Sequence, residues 1–140
     1  MSLWVLDTDC LSLLQRGHPL VMQRVNAVNF EEIAVTVITV EEQMRGWLNN
    51  IKQAADADRL VSAYKWLRET VEDFNSVKLL DFNQDALAYY TELRRQKIRI
   101  GTQDLRIASI VLSVNGILVT RNRRDFSQVP NLMLEDWTIP

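Results

Sequence analysis

The sequence predicts an α/β fold, a mostly parallel twisted sheet of four to five strands with helices on both faces. Three observations predict it. Short apolar, often β-branched runs alternate with longer stretches whose apolar residues recur every three or four positions. Capping and acidic residues stand where each run gives way to the next stretch. The 140 residues, 47% hydrophobic and 24% charged, suit one globular domain that buries its core without staples. Residues 1–140 are therefore expected to form a single domain. No repeat, low-complexity tract or linker interrupts them, and the three prolines mark no boundary.

Leu3-Trp4-Val5-Leu6 reads as a buried strand that ends in Asp7-Thr8-Asp9, a helix start. One or two helical turns follow from Cys10 to Arg16. Gly17 ends them, and Pro19 suits the first turn of a helix reaching about Val28. Ile33 to Val37 is β-branched and predicts a second strand. Thr39 is expected to cap the next helix, with Glu41, Glu42 and Gln43 in its first turn and its end near Ile51. Asp56 or Ala57 opens a longer helix with the stripe Leu60, Tyr64, Leu67, Val71 and Phe74. Val77 to Phe82 predicts a third strand. Asn83 caps a helix over Gln84–Lys97, with Ala86, Leu87, Tyr90 and Leu93 as its stripe. Gly101-Thr102-Gln103-Asp104 turns into a helix that buries Leu105, Ala108, Ile110 or Val111, and Leu112, and stops before Asn115-Gly116. Ile117 to Thr120 is a fourth strand. Arg121 to Phe126 is a loop with one helical turn at most, and Leu132-Met133-Leu134 is an edge strand.

The longest apolar stretches are far short of the roughly 20 residues that span a bilayer, so no membrane segment is expected. Met1-Ser2-Leu3-Trp4 enters a strand with no basic or apolar leader, so no secretory signal is expected. Cys10 is the sole cysteine, which excludes an internal disulfide and fits a reducing cytoplasm. The net charge of −2 is unevenly spread. Arg94 to Arg124 holds eight bases and one acid, a segment of +7 against −9 for the remainder. A solvated basic face is the plain reading. A positive rim for a polyanionic substrate is the functional one.

Alternating strands and helices imply βαβ units, and such sheets bind ligands beyond the carboxyl ends of their strands. Asp7, Glu42, Asp104 and Asp125 all fall at or near those ends. Carboxylates sharing one cleft raise each other's pKa values, and a hard divalent cation removes that cost. An oxygen-only donor set points to Mg²⁺ or Mn²⁺ rather than to zinc or copper. Each acid also has a plainer role. Asp7 and Asp104 serve as caps, Glu42 as a first-turn carboxylate favoured by the helix dipole, and Asp125 as a turn residue. Asp9 is expected to cap. His18, before a proline, has no acid placed near it. Cys10 is expected to pack, and Trp47 and Trp66 to pack helices or form a partner surface.

At these residues the chain resembles the PIN-domain family, and within it the VapC-type ribonuclease toxins. The pieces are Leu6-Asp7-Thr8-Asp9, the run Thr39-Val40-Glu41-Glu42-Gln43-Met44-Arg45-Gly46, Gly101 to Asp104 leading into Ile107-Ala108, Val119 to Phe126, and Leu134-Glu135-Asp136-Trp137. The resemblance implies a PIN-like three-layer sandwich. It also implies a Mg- or Mn-dependent endoribonuclease that hydrolyses RNA with a metal-activated water, the toxin of a toxin–antitoxin pair. Acids at the positions of Asp7, Glu42 and Asp104 are then the central metal-site residues. Asp7 and Asp104 hold the main ion. Glu42 and Asp125 orient waters or a second ion. The chain departs from many PIN domains in carrying neutral Asn122 where they carry Asp. Thr120 and Asn122 are expected to hydrogen-bond the carboxylates, and Arg121, Arg123 and Arg124 to hold RNA phosphates. A VapB-type antitoxin and a homodimer are the implied partners. Two other readings stay open. Asp7-Thr8-Asp9 also resembles the opening motif of haloacid-dehalogenase-like phosphatases, and a PIN-like module that binds RNA or protein without cutting needs no metal.

Overall fold

The computed structural model describes residues 3–140; Met1 and Ser2, with the expectation that the chain carries no leader there, lie outside the described residues. The element order is β1 (Trp4–Leu6), α1 (Thr8–Gln15), α2 (Pro19–Ala27), a 3₁₀ turn (Phe30–Glu32), β2 (Ile33–Thr36), α3 (Val37–Gln53), α4 (Ala57–Ser76), β3 (Lys78–Leu80), α5 (Gln84–Arg95), α6 (Thr102–Ser113), β4 (Ile117–Val119), α7 (Arg123–Phe126) and β5 (Met133–Glu135). The five strands form one sheet in the order β3-β2-β1-β4-β5. Every pairing is parallel, where the sequence had predicted a mostly parallel sheet. Parallel neighbours need crossovers, and helices provide all of them.

Strand alternation divides the core in two. Val5, Ala34 and Leu118 face one side, where they pack with Ala86 and Leu93 of α5 and with Leu105, Ala108 and Val111 of α6. Leu6, Ile33, Val35 and Val119 face the other, with Cys10 and Leu11 of α1, Val21 and Val25 of α2, Phe74 of α4, and Trp137. Helix α3 contributes to both, through Ile38 on one side and Val40 and Met44 on the other. This gives the three layers of the predicted sandwich.

Local chemistry explains the boundaries. Gly17 adopts φ +80 after α1, the left-handed geometry that favours glycine. The chain turns there with His18 N–H on the Leu13 carbonyl at 2.9 Å. His18 then caps α2 by accepting from Val21 N–H at 3.3 Å, which gives the lone histidine a structural role. Asn83 caps α5 as expected, and Asp56, one of the two residues expected to open α4, caps it by accepting from Arg59 N–H at 2.8 Å.

Two sequence expectations are corrected. Helix α3 starts at Val37, capped by Thr36, whose hydroxyl accepts from Thr39 N–H at 3.3 Å. Thr39 is therefore inside the helix, and Glu42 sits in its second turn. The β-branched run favours strand, and the Thr36 cap starts the helix within it despite that preference. Second, Leu60, Tyr64 and Val71 of the α4 stripe are exposed, as is Leu87 of α5. The buried positions of α4 are Ala63, Thr70 and Phe74. Helix α4 packs mainly on α3, and of its stripe Phe74 is the residue that is buried. Trp47 and Trp66 stack between these helices, 6.0 Å apart and 9° from parallel, as helix-packing residues.

These assignments predict a contrast measurable by urea unfolding. Leu118→Ala, at a fully buried central-strand position, is expected to cost about 2–5 kcal/mol. Leu87→Ala, at an exposed position, is expected to change stability by no more than about 0.5 kcal/mol. Equal effects would refute the burial assignment of α5.

Candidate functional site

The strand order switches direction between β1 and β4, which run parallel. From β1 the path steps to β2 and β3 on one side, and β4 and β5 lie on the other. A crevice opens at the carboxyl end of such a switch point. A cleft of about 660 Å³ lies there, lined by Asp7, Thr8, Asp9, Glu42, Asp104, Arg121, Asn122 and Phe126. Three of the four acids singled out in the sequence line it.

Asp7 follows β1 directly and is 6% exposed. It does cap α1, accepting from Cys10 N–H at 2.8 Å, and this capping points the remaining carboxylate lone pairs into the cleft. Burial raises its pKa, while the Thr120 hydroxyl and Cys10 N–H pull it back down. Thr120, fully buried at the end of β4, also accepts from Asn122 N–H at 3.0 Å. Asp104 lies in the first turn of α6 and does not cap it, since the cap position is Gly101. Burial, with Glu42, Asp7 and Asp125 nearby, pushes Asp104 up to about 6. Among the described residues no Lys or Arg pairs with Asp7, Glu42 or Asp104 within 4.0 Å.

Glu42 reaches the cleft from the second turn of α3. Thr8 Oγ1 donates to its Oε1 at 2.7 Å and lies 2.9 Å from Thr39 Oγ1. This Thr8–Thr39 pair was missed from the sequence. Thr8 lay inside the quoted motif, and the misplaced start of α3 hid its partner. Asp125 does not line the cleft. It is half-buried beside it, accepting from Asn122 Nδ2 at 3.1 Å, with Arg124 at 3.5 Å. Asn122 lines the cleft and caps α7. Of the three arginines, Arg121 alone lines the cleft. It holds Asp9 in a two-pronged pair, Nε to Oδ2 at 2.6 Å and Nη2 to Oδ1 at 3.1 Å. Asp9 is thus the partner of Arg121 rather than a cap. Arg123 and Arg124 are exposed on α7. Phe126, the apolar part of the lining, carried no functional signal in the sequence.

A trio of possible ligand atoms within 4.8 Å of one another comes from Asp7, Asp9 and Cys10. It is the weaker metal candidate. Asp9 is committed to Arg121, and burial pushes the Cys10 thiol well above its usual range, so no thiolate is offered. The wider set of Asp7, Glu42 and Asp104 supplies only carboxylate oxygens, none of them in an ion pair among the described residues. A hard cation that keeps several waters spans such a set without close contact between the acids. The donor chemistry therefore fits a divalent cation.

The PIN domain family model matches residues 4–132. The ribonuclease VapC1 of Haemophilus influenzae is 26% identical over 97% of this chain and 98% of its own length. The ribonuclease VapC2 of Rickettsia felis is 40% identical over 65 residues, 44% of this chain and 48% of that protein. Among solved structures, VapBC-1 from nontypeable Haemophilus influenzae superposes with a TM-score of 0.77 at 24% identity, covering 98% of this chain and 99% of that one.

The raised Asp104 carries a pH consequence. Its pKa is 3.8 when unperturbed and about 6 in the fold, so between these values the folded chain holds a proton that the unfolded chain has released. This contribution to stability is fully present below about pH 4 and lost as pH rises through about 6. In EDTA-treated protein Asp104→Asn is expected to remove that fall and to stabilise the fold at pH 7. The gain should be on the order of 1 kcal/mol, discounted for the solvent around a half-buried carboxylate. An unchanged Tm-against-pH profile would refute the shift.

Proposed function

The chain belongs to the PIN-domain family, and from that premise we propose that residues 1–140 form a metal-dependent endoribonuclease, the toxin of a toxin–antitoxin pair. The observation that carries this reading is the convergence of Asp7, Glu42 and Asp104, none of them in an ion pair among the described residues, on one cleft at the switch point of the sheet. The similarity to ribonucleases named VapC supports RNA as the substrate.

Asp7 and Asp104 would hold Mg²⁺ or Mn²⁺. When bound, the ion supplies Lewis acidity to the scissile phosphate and makes a water more acidic. The chain's own groups do the positioning. Asp7 is fixed by Cys10 N–H and Thr120. Glu42, fixed by Thr8, orients the attacking water. Asp125 adds negative charge from beside the cleft and is itself held by Asn122. Arg121, clasped by Asp9, stands at the rim where a neighbouring RNA phosphate passes, and Arg123 and Arg124 extend the basic surface outward. In-line hydrolysis needs this alignment and no nucleophilic side chain. In the phosphatase reading Asp9 would be the acid/base, yet it is engaged by Arg121.

The similarity in fold to a VapBC structure supports a VapB-type antitoxin as partner. Leu48, Val61, Tyr64 and Trp66, large and exposed on α3 and α4, offer apolar surface to it or to a second copy in a homodimer. No helix among the described residues is long and apolar enough to cross a membrane; the site of action proposed for the toxin is the cytoplasm.

The test is cleavage of total RNA by purified protein in Mg²⁺ or Mn²⁺. EDTA is expected to abolish it, and Asp7→Asn or Asp104→Asn to lower it roughly 10²-fold or more, the loss typical of removing a transition-state stabiliser. Cutting that persists in both variants would reject the site. Thr8→Val, which frees Glu42 while leaving the other acids in place, is expected to cost about 10–100-fold in activity or metal affinity. Unchanged kinetics would remove Thr8 from the machinery.

A further inference from the structure

A second cleft of about 460 Å³, lined by Glu42, Arg45, Gly46, Asn49 and Gln103, shares Glu42 with the acid cleft. We infer that this second cleft is a binding site for one nucleotide of the RNA strand, next to the scissile phosphate, with Asn49 and Arg45 as its recognition groups and the bare backbone of Gly46 as its floor. The inference rests on the nuclease reading and adds a specificity site to it.

The two clefts share Glu42, so a polymer with one phosphate among the acids has two exits within reach of a neighbouring residue. One exit passes Arg121 and Asp9. The other runs along α3 past Arg45, Gly46 and Asn49. The volume falls in the roughly 300–1,000 Å³ range of small-ligand clefts. Its chemistry suits an unstacked base. The Asn49 carboxamide has both donor and acceptor for a base edge, and the exposed Arg45 guanidinium suits a phosphate or a base plane. One wall carries a chain of side-chain hydrogen bonds. Glu41 accepts from Arg45 at 2.8 Å and from Gln103 Nε2 at 2.8 Å, and Arg106 donates to Gln103 Oε1 at 2.8 Å.

Gly46 is the second, independent observation. It lies in the interior of α3, where glycine is disfavoured relative to alanine. Its φ is not positive, and a Cβ built on it would meet nothing within 4 Å. Neither backbone geometry nor packing within the chain calls for glycine. Close approach of a ligand to the backbone does.

The test uses the full chain, freed of any bound protein, on a random-sequence RNA pool in Mn²⁺, with the new ends sequenced. Asn49→Ala is expected to flatten the base preference at one position beside the cut. Gly46→Leu, which fills the cleft, is expected to lower kcat/KM about tenfold or more, mostly through KM, with Mn²⁺ affinity unchanged. Gly46→Ala is expected to raise Tm. The inference is overturned if both Asn49→Ala and Gly46→Leu leave cut sites and kcat/KM as they were. It is also overturned if Gly46→Ala lowers Tm, or if Gly46→Leu changes only the sedimenting mass, which would make Gly46 a contact between two copies. An unaltered chain that cuts nothing overturns the nuclease reading and this inference together.

Discussion

A strand hydrogen-bonded on both edges and covered on both faces has almost no freedom left, and β1 is held in this way. It pairs in parallel with β2, Trp4 opposite Ile33, and with β4, Trp4 opposite Ile117. Val5 enters one core and Leu6 the other. The residue after Leu6 inherits that rigidity. Asp7 N–H bonds the Val119 carbonyl at 3.1 Å, and its side chain caps α1. Its position therefore follows from the central pairing, and the register of β4 brings Thr120 alongside. The remaining acids are brought to Asp7 by helices that leave the same sheet edge.

That edge is electrostatically unfavourable by construction. Desolvation and the mutual repulsion of the acids both oppose ionisation, and Asp104 carries the clearest result. Helix N-termini offset part of the cost, since Asp7 caps α1 and Asp104 lies in the first turn of α6. Hydrogen bonds offset more, through Thr120 at Asp7 and Thr8 at Glu42. A fold selected for stability alone would not gather these carboxylates. The bidentate clasp of Arg121 on Asp9 follows a different rule. Both side chains are about half exposed, so the pair adds little stability. What it supplies is a fixed guanidinium at the mouth of a negative cleft.

The outer part of the molecule was less legible than its centre, and α4 shows why. Leu60, Tyr64 and Val71 have perfect helical spacing, and the helix formed where expected. Periodicity identifies an apolar face but says nothing about what covers it. The main neighbour of α4 is α3, itself at the edge of the core, and the two meet at the Trp47–Trp66 stack. The shift of Glu42 from first to second turn has a similar origin. Ile33 to Val40 is apolar or β-branched almost throughout, and a local reading has no means to divide it until Thr36 is seen to cap.

The sequence by itself determined the order of strands and helices, the capping residue Asn83, and the positions of Asp7, Glu42 and Asp104 near strand ends. These are local properties, written in spacing, branching and side-chain hydrogen bonding over a few residues. Only the tertiary structure decided the strand order that makes those ends neighbours, the burial that raises Asp104, the displacement of Asp125 to the side of the cleft, and the pairings Thr8–Glu42 and Asp9–Arg121. The last two join residues 34 and 112 positions apart. Contacts of that range arise from packing of the whole chain, and no local pattern encodes them.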